Sequence, residues 1–198
     1  METINYLLFA YINGLSGTSL LLDNLAIISA EYMPIVFLAI LSYYWFLKEK
    51  EEKKIVLLSI YSIGISLCLN FVITLFYFHP RPFMIPVGHL LIPHPPETSF
   101  PSDHATFMFS IALTLLYVGR RASGITLLLL SFIGGFARVY CGVHFPFDIL
   151  GSFMVSYLSS SIIYYKREKL LPLNHFVLNA WGILLKKLYK FAKLPPST

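Results

Sequence analysis

Five long apolar runs organise the chain, at about 24–47, 54–78, 102–118, 122–141 and 146–165. A helix that crosses the hydrocarbon layer of a bilayer needs about 20 apolar residues. The pattern therefore predicts an all-α integral membrane bundle of about five transmembrane helices, of which the third and fourth are short. Residues 2–15 are a weaker apolar stretch that carries Glu2 and Asn5 and ends near Asn13-Gly14. They predict a short N-terminal helix that lies on the surface or dips into it. Residues 174–193 place Phe176, Leu184, Leu188 and Phe191 among Lys186, Lys187, Lys190 and Lys193. That is a basic amphipathic helix, of the kind that lies flat on anionic lipid. Packing against the bundle is the competing arrangement. Pro195-Pro196 is expected to end it. No internal repeat or low-complexity segment interrupts the series.

Composition sharpens this picture. Of 198 residues 57% are hydrophobic and 13% charged, against roughly 25% charged in soluble domains. A soluble domain is excluded. The length suits one membrane-embedded domain over 1–198, with a core at 24–165 and an interfacial C-terminal helix at 174–193. The N-terminus lacks a basic leader and a small-residue cleavage site, so no cleaved signal peptide is expected. Cys68 and Cys141 lie in different regions, and a disulfide between them would have to cross most of the membrane; none is expected. Cys141 is read as a packing residue rather than a reactive thiol.

Charge placement gives an orientation. Lys48, Lys50, Lys53 and Lys54 fall between the first two spans, Arg120 and Arg121 between the third and fourth, and Lys166, Arg167 and Lys169 after the fifth. With five spans they share one face, which the positive-inside rule makes cytoplasmic. The opposite face keeps Arg81 and Arg138. A different span count would scatter the motifs across the bilayer.

Those motifs are His79-Pro80-Arg81-Pro82-Phe83, Ser99-Phe100-Pro101-Ser102-Asp103-His104, and Arg138 to Asp148. Ionisable groups at the ends of membrane helices are costly and usually functional. Pro80 and Pro82 bracket Arg81 and present its guanidinium on a stiff turn, ready to grip two phosphate oxygens. Ser102 reads as the N-cap of the third span, where a helix start and a hydroxyl suit an anion. His104 follows in the first turn. Asp103 is counted with the phosphate-binding group, and either orients an arginine or repels free phosphate. Arg138, His144 and Asp148 form an Arg-x5-His-x3-Asp array. Pro146 opens the fifth span, so Asp148 falls in its first turn and can fix the tautomer of His144, leaving the other ring nitrogen free to attack phosphorus. Arg138 is suited to neutralising equatorial oxygens.

Together the three pieces resemble the type-2 phosphatidic acid phosphatase superfamily, whose signature is Lys-x6-Arg-Pro, Pro-Ser-Gly-His and Ser-Arg-x5-His-x3-Asp. The resemblance covers residues 74–148. It implies that His144 is the nucleophile that becomes phosphorylated, that Asp148 orients it and that His104 is the general acid and base. Arg81, Arg138 and the Ser102 region would bind phosphoryl oxygens. Three positions depart from the signature: Thr74 for the lysine, Asp103 for the glycine and Ala137 for the serine. The pattern from Ile73 to Thr106, with Ile12-Asn13-Gly14-Leu15 and Leu22-Asp23, is similar to one subgroup that tolerates these departures, the bacitracin-resistance type undecaprenyl-diphosphatases.

The resemblance implies a membrane lipid phosphatase that converts undecaprenyl diphosphate to undecaprenyl phosphate on the outer face of a bacterial cell membrane. Its partners would be a polyprenyl-diphosphate substrate and membrane lipids, with no nucleic acid and no obligate protein partner. Alternatives are a phosphatase of phosphatidylglycerophosphate, phosphatidic acid or a lipid A phosphate, and a transporter that holds an anion without chemistry. Glu97, and less strongly His94, are headgroup candidates; His79 and His89 rank lower, and His175 lies on the cytoplasmic side. No metal-ligand spacing occurs, so neither metal nor cofactor is expected. Gly134-Gly135 and Gly151-Ser152 are small residues suited to close helix approach.

Overall fold

The computed structural model describes residues 2–85 and 87–191. Lys193 and Pro195-Pro196 lie outside the described residues. The helices run α1 (Glu2–Asn13), α2 (Leu20–Leu47), α3 (Lys50–Phe76), α4 (Asp103–Tyr117), α5 (Arg121–Tyr140), α6 (Pro146–Lys166) and α7 (Leu171–Phe191), with short 3-10 turns at Pro82–Met84 and Arg167–Leu170. Among the described residues there is no strand.

Two helices begin earlier than their apolar runs. Residue Ser19 is extended, and Asp23 in the first turn of α2 accepts the backbone N–H of Gly17 at 3.0 Å, so helix starts at Leu20. α3 starts at Lys50 because its charged first turn is stabilised along its own surface, where Lys54 pairs with Glu51 at 2.7 Å, and across to Arg120 by Glu52.

Among the described residues four stretches are long and apolar enough to cross a membrane: α2, α3, α5 and the run Pro146–Leu188. The expected third span is α4, which at 15 residues falls short of that length. Sheathed by protein on both sides, it forms the enclosed centre of the bundle. One side sets Met108, Ile111 and Leu115 against Phe37, Leu41, Val56 and Leu127. The other sets Ala105, Phe109 and Leu113 against Phe9, Phe145 and Ile149. Outward-facing residues such as Leu25, Ile28, Ile35, Leu129 and Ile133 are exposed. So large an apolar exterior is a surface for hydrocarbon, and the molecule is a multi-pass membrane protein.

Hydrocarbon gives helices no hydrophobic reason to associate, so small residues and interhelical hydrogen bonds carry the packing. α6 spaces Ser152, Ser156 and Ser160 four apart on the face toward α4. Ser152 Oγ donates to Ser102 O at 3.0 Å, Ser156 Oγ to Thr106 O at 2.9 Å and Ser160 Oγ to Ser110 O at 3.3 Å. α3 joins through Ser66 to Ser110 and Ser62 to Ser160, both at 2.8 Å.

The remaining helices attach to this frame. α1 docks through Asn13, whose amide donates to Tyr140 O at 2.7 Å and His89 O at 2.8 Å. α7 packs Trp181 on Trp45 and Phe46 at the end of α2, with centroids 5.5 and 5.9 Å apart. Its other face exposes Phe176, Leu184, Lys186, Lys187 and Leu188. One helix thus meets the bundle and turns an apolar and basic face outward.

Candidate active site

The α3–α4 and α5–α6 connections meet at one end of the bundle, opposite the lysine-rich α2–α3 turn. Gly142 makes this meeting possible. Its φ of +79 belongs to the left-handed region, and a Cβ there would lie 2.2 Å from His89 O. Leu91 then donates its N–H to Cys141 O at 3.0 Å and joins the two loops.

His144 sits in the α5–α6 loop, 2% exposed. Asp148, in the first turn of α6, caps that helix by accepting the Phe145 N–H on Oδ2 at 2.7 Å. The same carboxylate oxygen lies 3.4 Å from His144 Nδ1. Ser99 Oγ stands between them, donating to Asp148 Oδ2 and lying 3.3 Å from His144 Nδ1. His79 Nδ1 is 3.3 Å from the other oxygen, Oδ1. On the far side of the imidazole, Arg81 Nη1 is 3.2 Å from Nε2 and also donates to Val143 O at 3.0 Å. Burial pushes the imidazole pKa far below the ordinary histidine value, to about 3, with Arg138 and Arg81 acting in the same direction against Asp148. The ring is neutral at physiological pH.

Arg81 donates from Nη2 to Glu97 Oε1 at 3.1 Å, and its Nε is buried without a partner. Arg138 donates from Nη1 to Ala30 O at 3.1 Å; its Nε is likewise buried and unpartnered. Two desolvated guanidiniums with spare donors, both lining one cavity, are chemically suited to gripping an anion. The cavity, about 670 Å³, is lined at its polar end by Arg81, Glu97, Asp103, His104, Arg138 and His144. Its walls are Pro34 and Leu38 of α2, Leu67 and Phe71 of α3, and Phe107 of α4. A second, apolar cavity of about 470 Å³ shares Leu38 and Phe107 with it and continues between α2 and α3 to Trp45 and Phe46.

Most of the residues singled out from the motifs thus converge. Ser102 is the exception. It is the N-cap residue of α4 but is fully buried outside the cavity lining, with its N–H on Ser152 Oγ at 2.9 Å and its hydroxyl unpartnered. Asp103 meets an amide, accepting from Asn70 Nδ2 at 2.7 Å. Cys141 is buried and free, away from the cavity. Among the described residues no group of three or more His, Cys, Asp and Glu side chains is gathered to hold a metal.

Sequence reasoning gave no role to Ser99 or Asn70 and ranked His79 low. Asn70 had a readable signal, since an amide within an apolar span is costly unless it has partners. Ser99 had only its place in the second motif.

A buried histidine backed by a carboxylate, with Arg81 against its Nε2 and Arg138 in the same cavity, at the mouth of an apolar groove, has the groups that phosphoryl transfer at a membrane requires. The chain belongs to the PAP2 superfamily, whose family model matches residues 55–172. It is 33% identical to the undecaprenyl-diphosphatase BcrC of Bacillus subtilis, over 94% of this chain and 96% of that one. It is 32% identical to the putative undecaprenyl-diphosphatase YbjG of Escherichia coli, over 83% of this chain and 84% of that one. The crystal structure of Aquifex aeolicus LpxE superposes with a TM-score of 0.69 at 29% identity, covering 81% of this chain and 94% of that one.

Proposed function

We propose that the protein is a lipid phosphatase that hydrolyses undecaprenyl diphosphate to undecaprenyl phosphate and inorganic phosphate through a phosphohistidine on His144. The observation that carries this reading is the approach of Arg81 Nη1 to His144 Nε2 at 3.2 Å inside a cavity that opens into an apolar groove. The names of the BcrC and YbjG relatives support the substrate.

His144 Nε2 attacks the terminal phosphorus in line. The bond from that phosphorus to the bridging oxygen breaks, and His104 gives its proton to the leaving lipid phosphate. Arg81 and Arg138 hold the equatorial oxygens, where charge concentrates. Water then attacks the phosphohistidine, His104 takes its proton, and the P–N bond breaks to free inorganic phosphate and the imidazole. Asp148 and Ser99 keep the Nδ1 side of the ring turned away from phosphorus. The isoprenoid tail lies along the α2–α3 groove, and Glu97 contacts the headgroup.

The whole of 1–198 acts as one phosphatase domain, with α7 at the membrane surface. The basic turns at the opposite end from the site support a bacterial cell membrane location with the site facing outward. His144→Ala is expected to abolish phosphate release from undecaprenyl diphosphate in detergent, and acid-labile phosphate should be trapped on the wild-type protein alone. Retained turnover in that variant removes His144 from its role. Phosphatidylglycerophosphate and phosphatidic acid assayed alongside test the choice of lipid.

A further inference from the structure

α2 stays helical through Pro34. A proline nitrogen carries no hydrogen, so the carbonyl four residues earlier loses its helical donor. That carbonyl belongs to Ala30, which is 1% exposed and beyond the reach of solvent. A buried, unpaired carbonyl is costly. Arg138 supplies the missing donor, its Nη1 lying 3.1 Å from Ala30 O. The approach depends on α5 lying close to α2 one turn earlier. At Gly134 a Cβ would fall 2.8 Å from Met108 Cε and 3.4 Å from Met33 Cγ, the residue before the proline. Pro34 itself lines the cavity beside Arg138.

We infer that Pro34 is a positioning residue: by freeing the Ala30 carbonyl it anchors one edge of the Arg138 guanidinium and aims the rest at the phosphoryl group. This rests on the phosphate-binding role proposed above for Arg138. Any other residue at position 34 restores an N–H that bonds Ala30 O within the helix and competes with the arginine.

Two replacements separate the missing hydrogen from the shape of the ring. Pro34→Ala restores the N–H. Lactic acid placed at position 34 by nonsense suppression makes an ester link, which removes the ring and still offers no N–H. Pro34→Ala is expected to lower kcat for undecaprenyl diphosphate by about 10- to 100-fold, the scale of a lost hydrogen bond to a charged group. KM should change by less than about threefold, because the guanidinium acts on charge that develops in the transition state. Affinity for orthovanadate, a lipid-free phosphoryl mimic, should fall with kcat. The lactic acid protein should keep near wild-type values. In an Arg138→Ala background Pro34→Ala should add nothing. Circular dichroism should show all variants equally helical, since alanine is the better helix former.

Wild-type kcat and vanadate affinity in Pro34→Ala would overturn the inference, as would an equal loss in the alanine and lactic acid proteins, which would assign the effect to the ring. If the wild type binds vanadate, weakened by Pro34→Ala, yet releases no phosphate from the lipid, the positioning role stands and the proposed reaction falls. If the wild type neither binds vanadate nor releases phosphate from the lipid, both fall.

Discussion

Arg81 Nη1 lies 3.2 Å from His144 Nε2. Arginine has donors and no acceptor, so Nε2 must present its lone pair to the guanidinium and the ring proton must sit on Nδ1. That side faces Ser99 and Asp148. In the proposed reaction, the lone pair that attacks phosphorus is thus turned toward the cation that binds the phosphoryl oxygens. Lysine has a single nitrogen and cannot serve Nε2 and Val143 O from one end, as Nη1 does, while a second nitrogen serves Glu97, as Nη2 does. Arg81→Lys should lower kcat by about 100-fold or more, the scale of one lost transition-state donor. Steady-state phosphate release measures this, and a loss under about threefold would contradict it.

Ser99 touches both the imidazole and the carboxylate and does not line the cavity, so its hydroxyl is expected to act through His144 rather than on the lipid. Ser99→Ala should reduce kcat by about 3- to 10-fold, the worth of one neutral hydrogen bond, and leave KM unchanged. Asp148→Asn, which disturbs the tautomer itself, should cost far more. A Ser99→Ala protein that loses affinity for the lipid without losing turnover would show that the hydroxyl contacts substrate.

His144 has a depressed pKa, so the unfolded chain binds its proton before the folded one does. The resulting stability is fully present above the unfolded value near 6.5 and is lost as pH falls toward about 3. His94, lowered by burial and by Arg81, acts in the same sense. The melting temperature in detergent should therefore drop between pH 7 and pH 5, with a slope of up to about 1.4 kcal/mol per pH unit for each histidine. His144→Ala should flatten the curve. The kcat/KM profile should show no acid limb near 6.5 from His144; a ring that titrates there by NMR would refute its buried neutral state.

Gly142→Ala should destabilise the protein by at least about 1–3 kcal/mol, from the positive φ alone. The added Cβ also meets a backbone carbonyl, which cannot swing aside as a side chain would. Thermal unfolding and turnover should fall together, because the same turn brings the two site loops into register.

Much of the fold was readable because each crossing helix is a long apolar run, and the motifs stood out because ionisable residues are rare between such runs. The ends were less readable: the first turn of α3 is charged, and its helicity comes from Lys54–Glu51 and Arg120–Glu52 pairing rather than from hydropathy. Partner choice was least readable. Asp103 was expected beside an arginine or opposed to phosphate and meets Asn70, 33 residues away. Arg138 reaches a carbonyl 108 residues distant. Such pairings depend on how helices pack, and a local pattern carries no record of them. The small residues of α6 were visible, but Ser152 stood out only for its size, not for tying down the start of α4.

The rungs between α6 and α4 have a mechanical consequence. Hydroxyls spaced every four residues, each returned to a carbonyl of the neighbouring helix, make those two rods a stiff keel. Among the described residues α2 has no such fastening to α3, and the apolar walls of the second cavity lie between them. Room for a bulky tail from the bilayer is therefore expected on the α3 side of α2, while the other side stays moored to α5 through Ala30 and Tyr44.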